Sequence, residues 1–166
     1  MRFVILFKIL IVSHISYSCF KENNIPPVYR EIPDANFKAY LKTIVPLAFT
    51  PDNKFISNHP SVVSYDELMS IRRKNITSLS GIEYFTSLTK LDCLDNHLKT
   101  LDISKNIALT NLYCGNNQLT SLDVRKNTNL TKLNCGSNQL TTLDVSENFN
   151  LIDLICYGNL ITTLKV

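Results

Sequence analysis

Four cysteines in the second half of the chain recur at one fixed spacing. They are Cys93, Cys114, Cys135 and Cys156, and the step from each to the next is the same. Cysteine thiols form disulfides, bind metals or pack as small apolar groups. Zinc needs ligands that converge on one point, and a disulfide needs a defined geometry between its two Cβ atoms. A column of parallel side chains therefore favours buried free thiols over alternate disulfides, and a metal site is the least favoured interpretation.

The cysteines belong to a repeat that must position them on stacked elements. Six further columns keep the step of the cysteine column over four copies. The unit reads L-x-x-L-x-C-x-x-N-x-L, followed in most copies by x-x-L-D-(I/V), and an irregular earlier copy runs from Leu68 to Phe85. The alternation of Leu91 and Cys93 predicts a short strand, and Asn96 predicts a hydrogen-bonded turn. Because a coil of this size cannot bury its own apolar face, the coils must stack.

This unit matches the leucine-rich repeat, with cysteine in the position of the third leucine. It resembles the 21-residue repeats of internalin-like bacterial surface proteins, and residues 32–41 and 79–85 resemble the entry region of that group. The resemblance covers roughly residues 32–166. It implies an α/β solenoid of stacked parallel β-strand coils, with about four regular repeats and an irregular entry repeat behind a small helical N-terminal cap. It also implies a protein-binding role and no catalytic residues.

The first residues of the chain have the features of an export signal. Arg2 precedes an apolar run that Lys8 interrupts, and the run is shorter than the roughly 20 residues that span a membrane. The small residues Ser16 and Ser18 then precede Cys19 in the manner of a cleavage site. A small residue followed by cysteine resembles a bacterial lipobox, which implies a lipid on Cys19, although Ser16 stands where lipoproteins prefer leucine. Ordinary secretion and an unmodified Cys19 are the alternatives.

These features divide the chain into four predicted segments. Residues 1–18 are a signal peptide, 19–31 a flexible tether, 32–64 a helical cap and 65–166 the leucine-rich repeats. Within the cap, Asp34 is a suitable N-cap for a helix that Pro46 ends. A cap is expected because the first coil of a solenoid otherwise exposes its core.

The composition argues against catalysis and against nucleic-acid binding. Acidic and basic residues balance from Leu88 to Val166, so the repeats carry no basic footprint for nucleic acid. With only 4 glycines in the chain, a glycine-rich phosphate loop is excluded. The histidines His14, His59 and His97 have no neighbouring nucleophile or metal-ligand pattern. We therefore predict a protein that is not an enzyme and uses no cofactor or metal.

The strand residues that point away from the core form the candidate binding surface, on the concave face of the solenoid. They vary between copies, whereas the core columns do not. The candidates are Lys90, Asp92, Asn111, Tyr113, Lys132, Asn134, Asp153 and Tyr157. Tyr113 and Tyr157 are the preferred anchors because tyrosine gives contact area at low entropic cost. A protein ligand is the first prediction. An adhesive envelope protein that binds glycan or matrix, a truncated fragment of a longer array, and a merely solvent-facing surface are the alternatives.

Each of three other patterns has both a purely structural and a functional interpretation. The column Asp102, Asp123 and Asp144 is either a solvated face or a cation site. The basic run 72–74 is either a solvated turn or a contact for phosphate or lipid headgroups. The last coil places Leu154, Ile161 and Leu164 at a core edge, which predicts edge-to-edge self-association or a longer array.

Overall fold

The computed structural model describes residues 25–166. The predicted signal peptide and Cys19 lie outside this part of the chain. Within residues 25–166, no helix combines the length and the apolar character that crossing a membrane requires.

A small N-terminal cap precedes the coils. Its helix, Ala35–Ile44, starts after Asp34, whose carboxylate accepts a hydrogen bond from the Phe37 backbone N–H at 2.9 Å. Phe37 and Leu41 are fully buried on one face of this helix. The helix ends at Ile44, with Val45 as its C-cap before Pro46, so the predicted helix is confirmed. Strand β1 (Tyr29–Arg30) precedes this helix and pairs antiparallel with β2 (Phe55–Ile56), which comes after it. A second, short helix, Pro60–Val63, follows β2.

The remainder is a solenoid in which each coil contributes one strand to the main sheet, which confirms the predicted leucine-rich-repeat array. The five strands are β3 (Leu68–Ser70), β4 (Lys90–Asp92), β5 (Asn111–Tyr113), β6 (Lys132–Asn134) and β8 (Asp153–Ile155). They form one parallel sheet in the order β3-β4-β5-β6-β8. The central residues of the strands pair in register, from Met69 through Leu91, Leu112 and Leu133 to Leu154. Each regular repeat therefore returns the chain to the same point of the next coil.

The side of the coils opposite the sheet contains turns, one 3₁₀ turn at Ile82–Tyr84 and two short strands. Strands β7 (Thr142–Asp144) and β9 (Thr163–Lys165) pair in parallel there. In the part of the chain that the structure describes, the α-helices belong to the cap alone. The α/β character of the fold thus comes from the cap, because the regular coils are too short to include a helix.

One asparagine per coil ties neighbouring coils together, as predicted for the column that begins at Asn96. The Asn117 amide donates to the Cys93 carbonyl of the preceding coil at 3.0 Å and to the Cys114 carbonyl of its own coil at 3.1 Å. Its Oδ1 accepts from the Leu98 backbone N–H at 3.0 Å. Asn138 repeats this pattern one coil further on. The column satisfies backbone groups that the turn removes from the sheet.

A second column of buried asparagines lies on the other side of each coil. Asn106, Asn127 and Asn148 recur once per coil and are almost completely buried. The Asn127 amide donates to the Ile103 carbonyl at 3.0 Å and to the Asn106 carbonyl at 2.9 Å. The Oδ1 atoms of all three have no hydrogen-bond partner within residues 25–166. Sequence reasoning missed this column, although it has the same period as the apolar ones.

The cysteine column packs as free thiols, as predicted. Cys93, Cys114 and Cys135 are fully buried and Cys156 is half-buried, and all four are unpaired. Burial raises the pKa of the Cys93 and Cys114 thiols far above the ordinary value, and raises the pKa of Cys135 to about 12. A thiol that does not ionise at neutral pH is a poor nucleophile and a poor metal ligand. The three inner cysteines therefore act as small apolar side chains.

Candidate binding face

The outward side chains of the five-stranded sheet lie in two in-register columns, which we call the sheet face. One column is Leu68, Lys90, Asn111, Lys132 and Asp153, and the other is Ser70, Asp92, Tyr113, Asn134 and Ile155. All of them are exposed or half-buried, whereas the residue between each pair, Met69 in β3 and a leucine in the other strands, points into the core. Seven of the eight predicted surface residues lie on the sheet face. Tyr157 lies beyond the end of β8 and is 73% exposed.

Two of the predicted residues are fixed to each other. The Asn111 amide donates to the Tyr113 hydroxyl at 3.0 Å, across the pleat of β5. The Asn111 Oδ1 lies 2.9 Å from the Thr110 hydroxyl, which shares its one hydrogen between this oxygen and the Thr89 carbonyl. This chain of hydrogen bonds orients the Tyr113 ring before any partner is bound. A side chain that is already ordered loses less entropy on binding.

Two glycines beside Tyr113, Gly115 and Gly136, have no side chains that would project from the sheet face, and we call this pair the glycine floor. Gly115 and Gly136 occupy the same position in successive coils, just after the strands, where the flanking coils have Leu94 and Tyr157. A Cβ atom on Gly115 would lie 2.9 Å from both the Asn134 Oδ1 and the Gly136 carbonyl oxygen. The same Oδ1 accepts from the Gly136 backbone N–H at 3.1 Å. Glycine at position 115 is therefore needed for Asn134 to take its place on the sheet face.

A column of threonines supports the edge of the sheet face. Thr89, Thr110 and Thr131 precede the strands, and each hydroxyl donates to a backbone carbonyl of the preceding coil, at 2.8 to 3.1 Å. Sequence reasoning did not identify this column, although it recurs with the period of the coils. In the last coil the position is occupied by Ile152, which has no hydroxyl and is 86% exposed.

The charge on the sheet face is mixed along most of its length and positive at the entry end. Lys90 and Lys132 share the face with Asp92 and Asp153. In the turn after β3, by contrast, Arg72 and Arg73 both donate through Nε to one oxygen of Asp95, at 2.9 and 3.1 Å. The other oxygen accepts from the Asn116 amide at 2.7 Å. The hydrogen bonds from Asn116 and Arg72 hold the pKa of Asp95 below its usual range.

The aspartate column on the opposite side forms local turns. Asp102, Asp123 and Asp144 each accept from the backbone N–H two residues later. The hydrogen bond from the Arg125 side chain is the main cause that lowers the pKa of Asp123 to about 2. Within residues 25–166, no group of three or more His, Cys, Asp or Glu side chains is placed to hold a metal ion. The solvated-face interpretation accounts for the contacts of this column.

Comparison with known proteins agrees with this architecture. A family model described as leucine-rich repeats in two copies matches residues 107–148. The chain is a leucine-rich-repeat solenoid. Among curated proteins, none matches the sequence significantly.

Two solved structures from Listeria monocytogenes are similar to the chain. One is the functional domain of InlJ, described as including a cysteine ladder, with 38% sequence identity and a TM-score of 0.69. The match covers 78% of this chain and 28% of that domain, so the chain spans less than a third of the length of the InlJ domain. The other is the internalin InlF, with 20% identity, a TM-score of 0.59 and coverage of 78% of this chain and 45% of that one, a likeness that concerns the fold alone.

Proposed function

We propose that this protein is a binding module that recognises a protein partner through the sheet face. The observation that supports this is the contrast between columns. The core positions repeat the same residue types in the regular coils, whereas the outward positions of the strands vary, with Lys90 and Lys132 as the one repeated type within either column. A purely structural array has no need for an ordered tyrosine, a glycine floor and mixed charges on one side.

The size of the sheet face fits a short segment of a partner. Five strands about 4.8 Å apart give a face about 20 Å long. An extended peptide of about six residues has the same length. Tyr113 and Tyr157 supply aromatic anchors, and the residues around them offer amide and charged groups for hydrogen bonds.

Site-specific photo-crosslinking in the native host tests this proposal. A photoreactive amino acid is placed at Lys132 on the sheet face and, as the matched control, at Thr142 on the opposite side, both of which are exposed. We expect discrete protein adducts from position 132 that disappear when Tyr113→Ala and Tyr157→Ala are added, and none from position 142. Equal adducts at both positions, or adducts that persist without the tyrosines, would refute recognition by the sheet face. Adducts that carry glycan but no protein would favour the adhesive alternative.

We also propose that the protein is exported and displayed at the cell surface, with residues 1–18 removed and a lipid on Cys19. The proposal depends on the charged, apolar and small-residue order at the start of the chain, up to Cys19. The residues from 19 to 31 then act as the tether, those from 32 to 64 as the cap and those from 65 to 166 as the displayed array. Mass spectrometry of the mature N-terminus tests it: a diacyl or triacyl mass on Cys19 is expected, and a free Cys19 at a cleaved terminus would reduce the proposal to secretion.

Self-association is a second candidate, and a specific observation favours it. Outward positions of the last coil are apolar where the preceding coil is polar: Phe149 replaces Thr128 and Leu160 replaces Gln139, and the two are 85% and 66% exposed. Both side chains would lose apolar surface to water if a second copy of the chain covered them. Light scattering of the purified chain should show a dimer that Phe149→Thr with Leu160→Gln converts to a monomer. A monomer at every concentration would remove this candidate.

A further inference from the structure

The entry end of the sheet face holds more positive charge than its partners neutralise. Arg72 and Arg73 meet on a single oxygen of Asp95, and Asn116 occupies the other oxygen. Within residues 25–166, neither arginine pairs with a second carboxylate and Lys74 pairs with none. Two guanidinium groups on one carboxylate leave an excess positive charge, to which the neighbouring ammonium adds.

The arrangement also leaves hydrogen-bond donors available. Each arginine uses Nε on Asp95, while the guanidinium group carries five N–H donors in all. The side chains of Arg72 and Arg73 are 45% and 73% exposed, so their terminal N–H groups are accessible to a ligand. The Lys74 ammonium lies 5.8 Å from the centre of the Tyr40 ring, which keeps it on the same part of the surface. Asp95 thus fixes two planar forks while it leaves their outer edges free.

Residue 73 is an unusual place for arginine. Its backbone has a φ of 55°, and the same left-handed position in later coils holds Asp95, Asn116, Ser137 and Gly158. Asparagine, aspartate and glycine tolerate this conformation better than a long side chain does. Arginine is therefore a less favourable residue than asparagine or glycine for the backbone conformation at position 73. A role for its charge would explain why arginine stands there.

The distribution of charge along the sheet face indicates which anion fits. A sulfated or phosphorylated polymer carries charge along its whole length and would meet Asp92 and Asp153 as well as the arginines. A peptide with carboxylates at one end would place them on the arginines and its remaining residues on the mixed part of the face. Planar carboxylates also match the guanidinium fork, as Asp95 itself does.

We propose that Arg72 and Arg73 form a carboxylate-binding site at the entry end of the sheet face, and that the segment of the partner that binds there is an acidic peptide. The identity of the ligand as a protein segment rests on the proposed function. The site itself, however, can be tested without the natural partner.

The experiment measures binding of a fluorescent probe peptide to the purified chain by anisotropy at low salt. The probe is a hexapeptide of two glutamates followed by four serines, so that its side-chain carboxylates lie at one end. Arg73→Asn is the informative variant, because asparagine suits a positive φ and should preserve or raise the thermal midpoint. We expect it to weaken binding of the probe peptide about tenfold, through loss of charge-assisted hydrogen bonds. Arg72→Gln should have a similar effect. The matched control is Arg125→Gln, which removes an arginine that is 60% exposed and pairs with Asp123 at 2.8 Å, and it should leave binding within about twofold.

Three results would overturn the proposal. Unchanged binding by Arg73→Asn would make the arginine pair a structural link only, as would a fall in its thermal midpoint with no loss of affinity. An equal loss in Arg125→Gln would mean that the probe peptide responds to net charge alone. Tighter binding of a heparin-derived hexasaccharide, with the same dependence on Arg73, would assign the site to sulfated polymers instead. If the probe peptide fails to bind while protein adducts still form at position 132, this site is refuted and the proposed function is not.

Discussion

Replacing Asn117 with alanine tests whether the asparagine column holds the coils together. The change removes the amide that bridges the Cys93 and Cys114 carbonyls, and it removes the Oδ1 that accepts from the Leu98 backbone N–H. Each lost hydrogen bond to a carbonyl costs about 1 kcal/mol, and a buried donor left without a partner costs about 1 to 3 kcal/mol. The expected loss in the free energy of unfolding is therefore about 3 to 5 kcal/mol, a large share of the stability of a small domain.

Urea unfolding followed by far-UV circular dichroism and by tyrosine fluorescence measures this loss. Coincident midpoints from the two signals would show that the array unfolds as one unit, so that a single free energy applies. Asn117→Asp is the second arm, since it keeps the shape but turns the donor amide into an acceptor, and it should cost at least as much as alanine. Asn129→Ala is the control: this exposed asparagine donates once, to the Ile107 carbonyl at 3.1 Å, and should cost about 0.5 kcal/mol. If Asn117→Ala costs no more than Asn129→Ala, the column does not stabilise the stack.

Three further predictions concern the glycine floor, the thiols and the cap. Gly115→Ala should lower stability by about 1 to 3 kcal/mol in thermal unfolding, because its Cβ would meet Asn134; the more open Gly136→Ala should cost less, and the reverse order would contradict the packing described. In the native chain, iodoacetamide at pH 8 should label Cys156 but not Cys135, whose pKa is about 12, as peptide mass spectrometry will show; equal labelling of both would rule out a buried column. Asp34→Ala should cost about 2 kcal/mol, since the carboxylate caps the helix and also accepts from Thr77 at 2.8 Å. Burial alone would raise the pKa of Asp34, but hydrogen bonds from Phe37, Thr77 and Ser78 bring it below the ordinary 3.8 in the folded chain. The stability this carboxylate contributes is therefore present above pH 3.8 and lost as the pH falls below it, so the variant should show a weaker acid dependence than the native chain.

The coil and its core were predictable because both depend on apolar residues that recur at a fixed spacing in the sequence. Leu91, Cys93 and Leu98 recur at positions that no other fold would require, and the sheet register follows directly from that recurrence. The helix of the cap was predictable for a local reason, since Asp34 and Pro46 mark its two ends in the sequence.

The polar contacts were less predictable because each depends on a residue in another coil. The partner of Arg72 is Asp95, 23 residues later, and the contact requires the left-handed turn that brings the two loops into line. The buried amide of Asn127 has the right period, yet asparagine in a loop is usually exposed, and only the packed coils reveal its burial. The hydrogen bond from Asn111 to Tyr113 depends on rotamers, which sequence spacing does not determine.

The hydrogen bonds between coils have a consequence for how such an array changes in evolution and in the laboratory. The asparagines donate to residues 24 and 21 positions earlier, and the threonines of the inner coils donate to residues 21 positions earlier. Each of the inner regular coils is therefore joined to its neighbour in the same way. Excising one whole repeat, from 107 to 127, should bring Asn106 into contact with the segment that begins at Thr128 and leave each column continuous. The number of coils is thus a property that duplication or deletion can change in whole units, while the chemistry of each outward position changes independently by substitution.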